Sequence, residues 1–204
     1  MSQRINMEEL KNSIRNRGLV ETLILALWLL YRRLISLVMI FFLRLRGYGI
    51  SYSVVFYGRS WLQRSVKQSI VIGRNCGIGD NVKLRCYGKG KIKIGDNVSI
   101  NENAIIHAGE LVEIGNDVVI GANCYINDTS HTFVSLNKPI NKQGWSAKPV
   151  IIEENVWLGT GVIILDGIRI ETGVIVGAGA VVTKTIAKNT VAAGVPAKSL
   201  YKRN

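Results

Sequence analysis

Aliphatic residues return at every sixth position through most of this chain, and glycines return in phase with them. Ile72-Gly73, Ile78-Gly79, Ile94-Gly95, Ile114-Gly115, Ile120-Gly121, Leu158-Gly159 and Val176-Gly177 share one aliphatic-then-glycine step. From Ile152 the register passes through Leu158, Ile164, Ile170, Val176 and Val182 without a slip. Small or branched residues follow four places later, at Cys76, Val82, Val98, Val118, Cys124, Val156, Val162, Val174 and Ala180. An amphipathic helix requires a period of about 3.6 and fewer glycines. A period of six supplies one short strand and one turn per hexapeptide, with the aliphatic side chain turned inward and Gly or Asn taking backbone angles that branched residues resist. Three hexapeptides close one triangular coil, so residues eighteen apart stack: Leu158 over Val176, Ile164 over Val182, Ile152 over Ile170. The pattern predicts a mainly β fold, a parallel β-helix over residues 71–196, with a lead-in at 47–70 and a basic tail at 197–204.

The register breaks between Ile126 and Ile152. The intervening segment, 127–151, carries His131, two prolines and Trp145, and is expected to project from the helix; long excursions from a compact fold tend to carry function. Asp128, three residues before His131, is placed to orient the imidazole, to bind a ligand hydroxyl or to cap the loop. The chain's second histidine, His107, follows Ile106 within a coil and is the alternative chemical group, or an outward side chain with local hydrogen bonds. A smaller irregularity at 85–93 reads as a widened turn. Around it Lys83, Arg85, Lys89, Lys91 and Lys93 form a basic patch without an acid, either a solvated face or a functional one.

Residues 1–46 follow another pattern. Two apolar runs, Leu23 to Tyr31 and Leu34 to Leu43, flank Arg32-Arg33, with Arg15, Arg17, Arg44 and Arg46 outside them. The segment should be helical. A single membrane crossing would bury two adjacent arginines near its centre, at a cost of about 5–7 kcal/mol, and no small-residue cleavage site follows to mark a signal peptide. A monotopic or re-entrant helix, or a hairpin, with its arginines at anionic headgroups is the expected arrangement. The alternative is a helical cap packed on the β-helix or on an assembly.

Composition narrows the reading. The chain has 204 residues and a net charge of +12, which suits a polyanion or an anionic membrane surface. No interleaved stacking aromatics, zinc-ligand spacing or nucleic-acid module accompanies that charge, so nucleic acid is set aside. Cys76, Cys86 and Cys124 are odd in number and scattered, as in a reduced cytoplasmic protein, and none is placed as a nucleophile.

Over residues 71–198 the chain resembles the hexapeptide-repeat acyltransferases. Lys148-Pro149-Val150, Asn155-Val156-Trp157-Leu158-Gly159, the run Gly177 to Lys184, and Ala193-Gly194-Val195-Pro196-Ala197 are most similar to the galactoside, maltose and Nod-factor acetyltransferase branch. The resemblance implies a left-handed β-helix and a homotrimer with active sites between subunits. It further implies acetyl-CoA as co-substrate, no metal, and direct transfer of acetyl to a sugar hydroxyl with His131 as general base. Asn103 falls on the family's asparagine near the reacting centre. Trp157, Gly159 and Thr160 fall at the pantetheine end of the coenzyme, and Ala178, Thr183, Lys184 and Lys198 toward its nucleotide and phosphates. Asp128 is the candidate contact to the acceptor.

The apolar leader resembles those of acetyltransferases of bacterial polysaccharide and lipopolysaccharide assembly. That implies a sugar acceptor, possibly lipid-linked, and a cytoplasmic enzyme lying peripherally on the inner face of the cell membrane. A soluble acetyltransferase of free sugars or antibiotics is the alternative. The metal-dependent carbonic anhydrases on the same β-helix need three histidines per site, whereas this chain has two histidines in all.

Overall fold

Each hexapeptide forms a short strand, and successive strands turn through three faces before returning one coil further along. The computed structural model describes residues 15–16 and 18–203; the rest of the leader, Arg17 included, and Asn204 of the tail lie outside the described residues. The first face runs from Gly49–Ile50 to Arg169–Ile170 and the third from Trp61–Gln63 to Val181–Val182, each with six parallel strands. The second face begins at Val55–Phe56 and ends in Thr190–Ala193, to which Lys198–Lys202 adds antiparallel. The result is a parallel β-solenoid of about six turns.

The expected stacking holds: Leu158 pairs with Val176, Ile164 with Val182 and Ile152 with Ile170. Inside the third face Leu84, Ile106, Ile126, Ile164 and Val182 form one buried column. Each fully buried aliphatic side chain contributes about 1.5–3 kcal/mol. The four-places-later residues, from Cys76 to Ala180, are buried as well. Turns fall to asparagine. Asn75, Asn81, Asn97, Asn103, Asn123, Asn155 and Asn189 all sit at φ between 54° and 60°, a left-handed conformation that a short polar side chain tolerates. Their amides stack from coil to coil, Asn97 Nδ2 donating to Asp117 Oδ1 at 3.0 Å, for example.

Two boundaries differ from the sequence reading. Residues 47–70 are no lead-in but hold the first coil, with Gly49 paired to Val71, Val55 to Gly77 and Trp61 to Lys83. Its inward residues Ile50, Phe56 and Leu62 keep the period of six, but the step to Ile72 slips out of phase. The C-terminal tail is likewise structured as the strand Lys198–Lys202, which covers the edge of the second face.

Helix α1 (Leu19–Leu45) is one continuous helix, not a hairpin, and it crosses the open end of the first coil. That end presents unpaired strand-edge groups, and α1 satisfies them. Ser36 Oγ accepts the Phe56 N–H at 2.9 Å, Arg33 donates to the Val54 carbonyl at 3.0 Å, and Arg44 donates to the Ile50 carbonyl at 2.6 Å. Ile40 is buried on the same side, and Trp28 stacks with Tyr57. Two of the arginines expected at lipid headgroups, Arg33 and Arg44, are turned instead to the coil, and Arg32 lies over the Trp28 ring. The outer side of α1 is apolar and exposed, with Leu23, Leu27, Leu30, Leu34, Val38, Phe41 and Phe42 uncovered. Among the described residues, α1 is the helix long and apolar enough to cross a membrane by length and composition.

Candidate active site

The excursion leaves the third face at Asn127 and folds as its own antiparallel hairpin, with Thr129 opposite Ala147 and His131 opposite Trp145. Its outer part is tied by Gln143, whose Oε1 accepts the Ser135 N–H while Nε2 donates to the Lys138 carbonyl. Its root is tied by Asp128. This side chain is 0% exposed, and its carboxylate accepts three backbone N–H groups, from Gly109 at 2.6 Å and from Glu110 and Leu111 at 2.8 Å each. The acceptor contact expected of Asp128 is therefore corrected. With its oxygens occupied and no access to solvent, Asp128 fixes the hairpin to the neighbouring turn, the loop-capping option of the sequence.

His131 stands at the mouth of a cleft of about 360 Å³ lined by Tyr87, Tyr125, Asn127, Thr129, Ser130, His131 and Trp145. Its Nδ1 lies 3.4 Å from the Gly144 carbonyl. A carbonyl only accepts, so the tautomer that makes this contact carries its proton on Nδ1 and its lone pair on Nε2. Asn127, at the base of the cleft, holds Thr129 through three short contacts of 2.7 to 3.1 Å.

His107 occupies a different place. It lies on the third face between Tyr87 and Tyr125, edge-on to both at 5.7 Å between ring centroids, behind two of the rings that line the cleft. Its Nε2 is buried without a hydrogen-bond partner. Burial, and secondarily the neighbouring Arg85 charge, hold its pKa below the ordinary imidazole value. The sequence carried a signal for this placement: with Ile106 inward, His107 must face outward in the row of Arg85 and Asn127.

Asn103 is not among the residues lining the cleft. It takes a left-handed turn at φ 60°, and its Oδ1 accepts the Asn81 amide at 2.9 Å, so within one chain it belongs to the asparagine ladder. The residues expected to hold the coenzyme divide between the two edges of the third face. Gly159, Thr160 and Ala178 lie along the edge shared with the second face, and Trp157 stands exposed beside them. This edge is narrow of necessity: a Cβ on Gly159 would meet the Ala178 amide nitrogen at 2.7 Å. Lys198, paired opposite Ala193, joins the same end. Thr183 and Lys184 lie past Val182, on the opposite edge, from which the His131 hairpin also departs. Within one chain the expected coenzyme residues therefore do not form one continuous groove. The small-residue edge leaves room for a thin chain, and Lys184 and Lys198 are exposed cations suited to phosphate.

Neither thiol nor metal chemistry is prepared by these residues. Burial pushes the Cys76 and Cys86 thiols up to about 11, and among the described residues no group of three or more His, Cys, Asp or Glu is placed to hold a metal ion.

Stacked hexapeptide coils with a projecting hairpin that contributes to an aromatic-lined cleft define a hexapeptide-repeat transferase, and comparison with known proteins agrees. Residues 149–184 match the family described as bacterial transferase hexapeptide (six repeats), and residues 91–128 match the hexapeptide repeat of succinyl-transferase. WbbJ of Escherichia coli K12, named as a candidate lipopolysaccharide biosynthesis O-acetyl transferase, is 38% identical over 67% of this chain and 73% of its own length. The galactoside O-acetyltransferase of the same organism is 32% identical over 79% of each chain. Among solved structures, the Bacillus cereus N-acyltransferase AntD shares the fold at a TM-score of 0.68 and 22% identity, over 79% of this chain and 88% of that one. A Vibrio cholerae hexapeptide-repeat acetyltransferase complexed with acetyl-CoA aligns at a TM-score of 0.54 and 25% identity, over 73% and 72%. The chain belongs to the hexapeptide-repeat acetyltransferases, enzymes that draw their acetyl group from acetyl-CoA.

Proposed function

We propose that this enzyme O-acetylates a sugar of a bacterial surface polysaccharide or lipopolysaccharide at the inner face of the cytoplasmic membrane, with His131 as general base. The observation that carries the reading is the exposed imidazole in the lining of an aromatic cleft, its Nδ1 facing a backbone carbonyl at 3.4 Å. Tyr87, Tyr125 and Trp145 offer flat apolar faces to a sugar ring, and Nε2 is free to take the proton of one hydroxyl as its oxygen attacks the acetyl carbonyl. Acetyl-CoA supplies the activated thioester. The imidazolium then has a proton to return to the departing sulfur, and a base positioned in this way accelerates such a step about 10²–10⁴-fold. The likeness to WbbJ supports the class of acceptor.

The division of the coenzyme residues between two edges supports a trimer whose sites form between neighbours. So does the exposed apolar tip of the hairpin, with Phe133, Val134, Leu136 and Ile140 uncovered in the single chain.

Helix α1 supports the location. Its contacts with the first coil extend from Trp28 to Arg44, so a membrane crossing would draw the coil into the bilayer. A helix lying in the plane of the interface keeps those contacts and buries only the outer apolar side. Release of coenzyme A thiol, measured against a panel of lipid-linked glycans, free sugars and aminoglycosides, tests the proposal. Turnover is expected with the lipid-linked glycans. Turnover confined to free sugars or antibiotics would move the enzyme to the soluble small-molecule class.

A further inference from the structure

The basic patch around residues 83–93 resolves into two parts with different surroundings. Lys91 and Lys93 are exposed on the first face, Lys93 standing beside Glu113, and Lys89 lies at the corner between faces. Lys83 and Arg85 lie instead on the third face, half-buried, in the rows that lead to the cleft: Lys83 beside Ile105 and then Tyr125, Arg85 beside His107 and then Asn127. Among the described residues neither makes an ion pair. The nearby carboxylate, Asp128, is spent on its three backbone N–H groups. Two sheltered cations thus stand without a counter-charge next to an imidazole whose Nε2 has no partner.

Direction adds the rest. On the third face the order from the α1 end is Trp61–Gln63, then Lys83–Cys86, then Ile105–Ala108, then Tyr125–Asn127, so Arg85 lies between the cleft and the helix. At about 4.8 Å per strand, two strands separate Arg85 from Asn127 by about 10 Å. That separation suits a sugar in the cleft joined to a phosphoryl group on its membrane side.

Building on the acetyltransferase reading above, we propose that the acceptor is a phosphoryl-linked sugar whose phosphate is held by Arg85 and Lys83 beside His107, on the side of the cleft that faces helix α1. Arg85 offers a planar fork of donors and Lys83 a point charge, and an anion there neutralises the repulsion between them. Tyr87, Tyr125 and His107 form the aromatic floor between phosphate and sugar, and the His107 Nε2 is the group that gains a partner when the site fills. Lowered as it now is by burial, then Arg85 and Lys83, with Asp128 opposing, the His107 pKa rises when an anion enters.

The chain's two histidines give two imidazole signals in nitrogen-detected NMR. Full-length protein is titrated with galactose 1-phosphate, UDP-galactose, galactose, galacturonate and inorganic phosphate. The two phosphoryl sugars are expected to shift the His107 signal and raise its titration midpoint, and to bind about tenfold or more weakly to Arg85→Gln, the loss of one charge-assisted contact. Lys93→Gln, on another face, should bind as the unaltered protein does. Transfer rates to lipid-phosphate-linked and nucleotide-linked glycans then identify which source of the phosphoryl group is used. Equal binding of galactose and its 1-phosphate, equal binding of galacturonate or of inorganic phosphate alone, or an unchanged affinity in Arg85→Gln overturns the proposal. The binding arm needs no acetyl transfer, so a protein that binds phosphoryl sugars but acetylates no glycan contradicts the acetylation reading and leaves this site standing.

Discussion

The solenoid and helix α1 are built from the same side chains facing opposite ways. In the coils, Ile, Val and Leu alternate with outward residues, and the inward ones close a core in which Ile106, Leu158 and Ile164 are wholly buried. In α1 the apolar residues go all round, and one seam, which includes Trp28, Arg33, Ser36, Met39, Ile40, Leu43 and Arg44, meets the protein. A helix that is hydrophobic on every side needs a second apolar partner. The seam shows what the polar residues of such a helix are for: they bind the unpaired edge of a β-solenoid, which an all-leucine helix would leave with orphaned donors and acceptors.

The largest expected effect is at the outer side of α1. Replacing Leu23, Leu27, Leu30, Leu34 and Val38 by Gln together should abolish flotation with anionic liposomes, because each large side chain buried in lipid contributes about 1.5–3 kcal/mol. The seam stays intact in that variant, so fold and turnover on a water-soluble acceptor should persist; flotation that survives would mean another surface meets the membrane. Next in size, Leu158→Ala should cost about 2–5 kcal/mol of stability in denaturant unfolding, through the cavity left between coils. Leu30→Ala should change it by less than about 0.5 kcal/mol, as for exposed positions generally. Equal losses in the two variants would mean that the outer side of α1 is covered in solution. A smaller loss than that of Leu158→Ala is expected at the seam: Ser36→Ala leaves the buried Phe56 N–H without its acceptor and should cost about 1–3 kcal/mol, with the first coil losing amide-exchange protection before the others.

Much of this architecture was legible in the sequence because one period accounts for it. The register from Ile152 to Val182 foretold stacking partners residue by residue, and the asparagine turns followed from the same pattern. The first coil was missed because Phe56 replaces the aliphatic-glycine step and the phase slips before Ile72. Asp128 was legible as a loop residue, but its three partners lie 17 to 19 residues back, on a turn that only coil stacking brings beside it. The places of Arg33 and Arg44 were not legible because the carbonyls they bind belong to the edge of the coil that residues 47–70 form, and that coil lies outside the regular period. The family resemblance puts Asn103 near the reacting centre, whereas the chain alone gives it a turn and an asparagine neighbour. The projecting hairpin followed from the interruption of the period, whereas the choice of His131 as base drew on the family resemblance as well.

In the proposed chemistry acetyl transfer runs through the His131 imidazole. The most direct measurement is steady-state acetyl transfer by His131→Ala and His107→Ala beside the unaltered enzyme, with coenzyme affinity and melting temperature recorded for each. The account expects His131→Ala to lose turnover by at least about a hundredfold, with coenzyme binding and melting unchanged, since an exposed loop base contributes to proton transfer and little to the core. His107→Ala should weaken acceptor binding while keeping turnover at saturation within about tenfold of the unaltered enzyme. Near-normal turnover in His131→Ala together with an inactive His107→Ala would contradict the account.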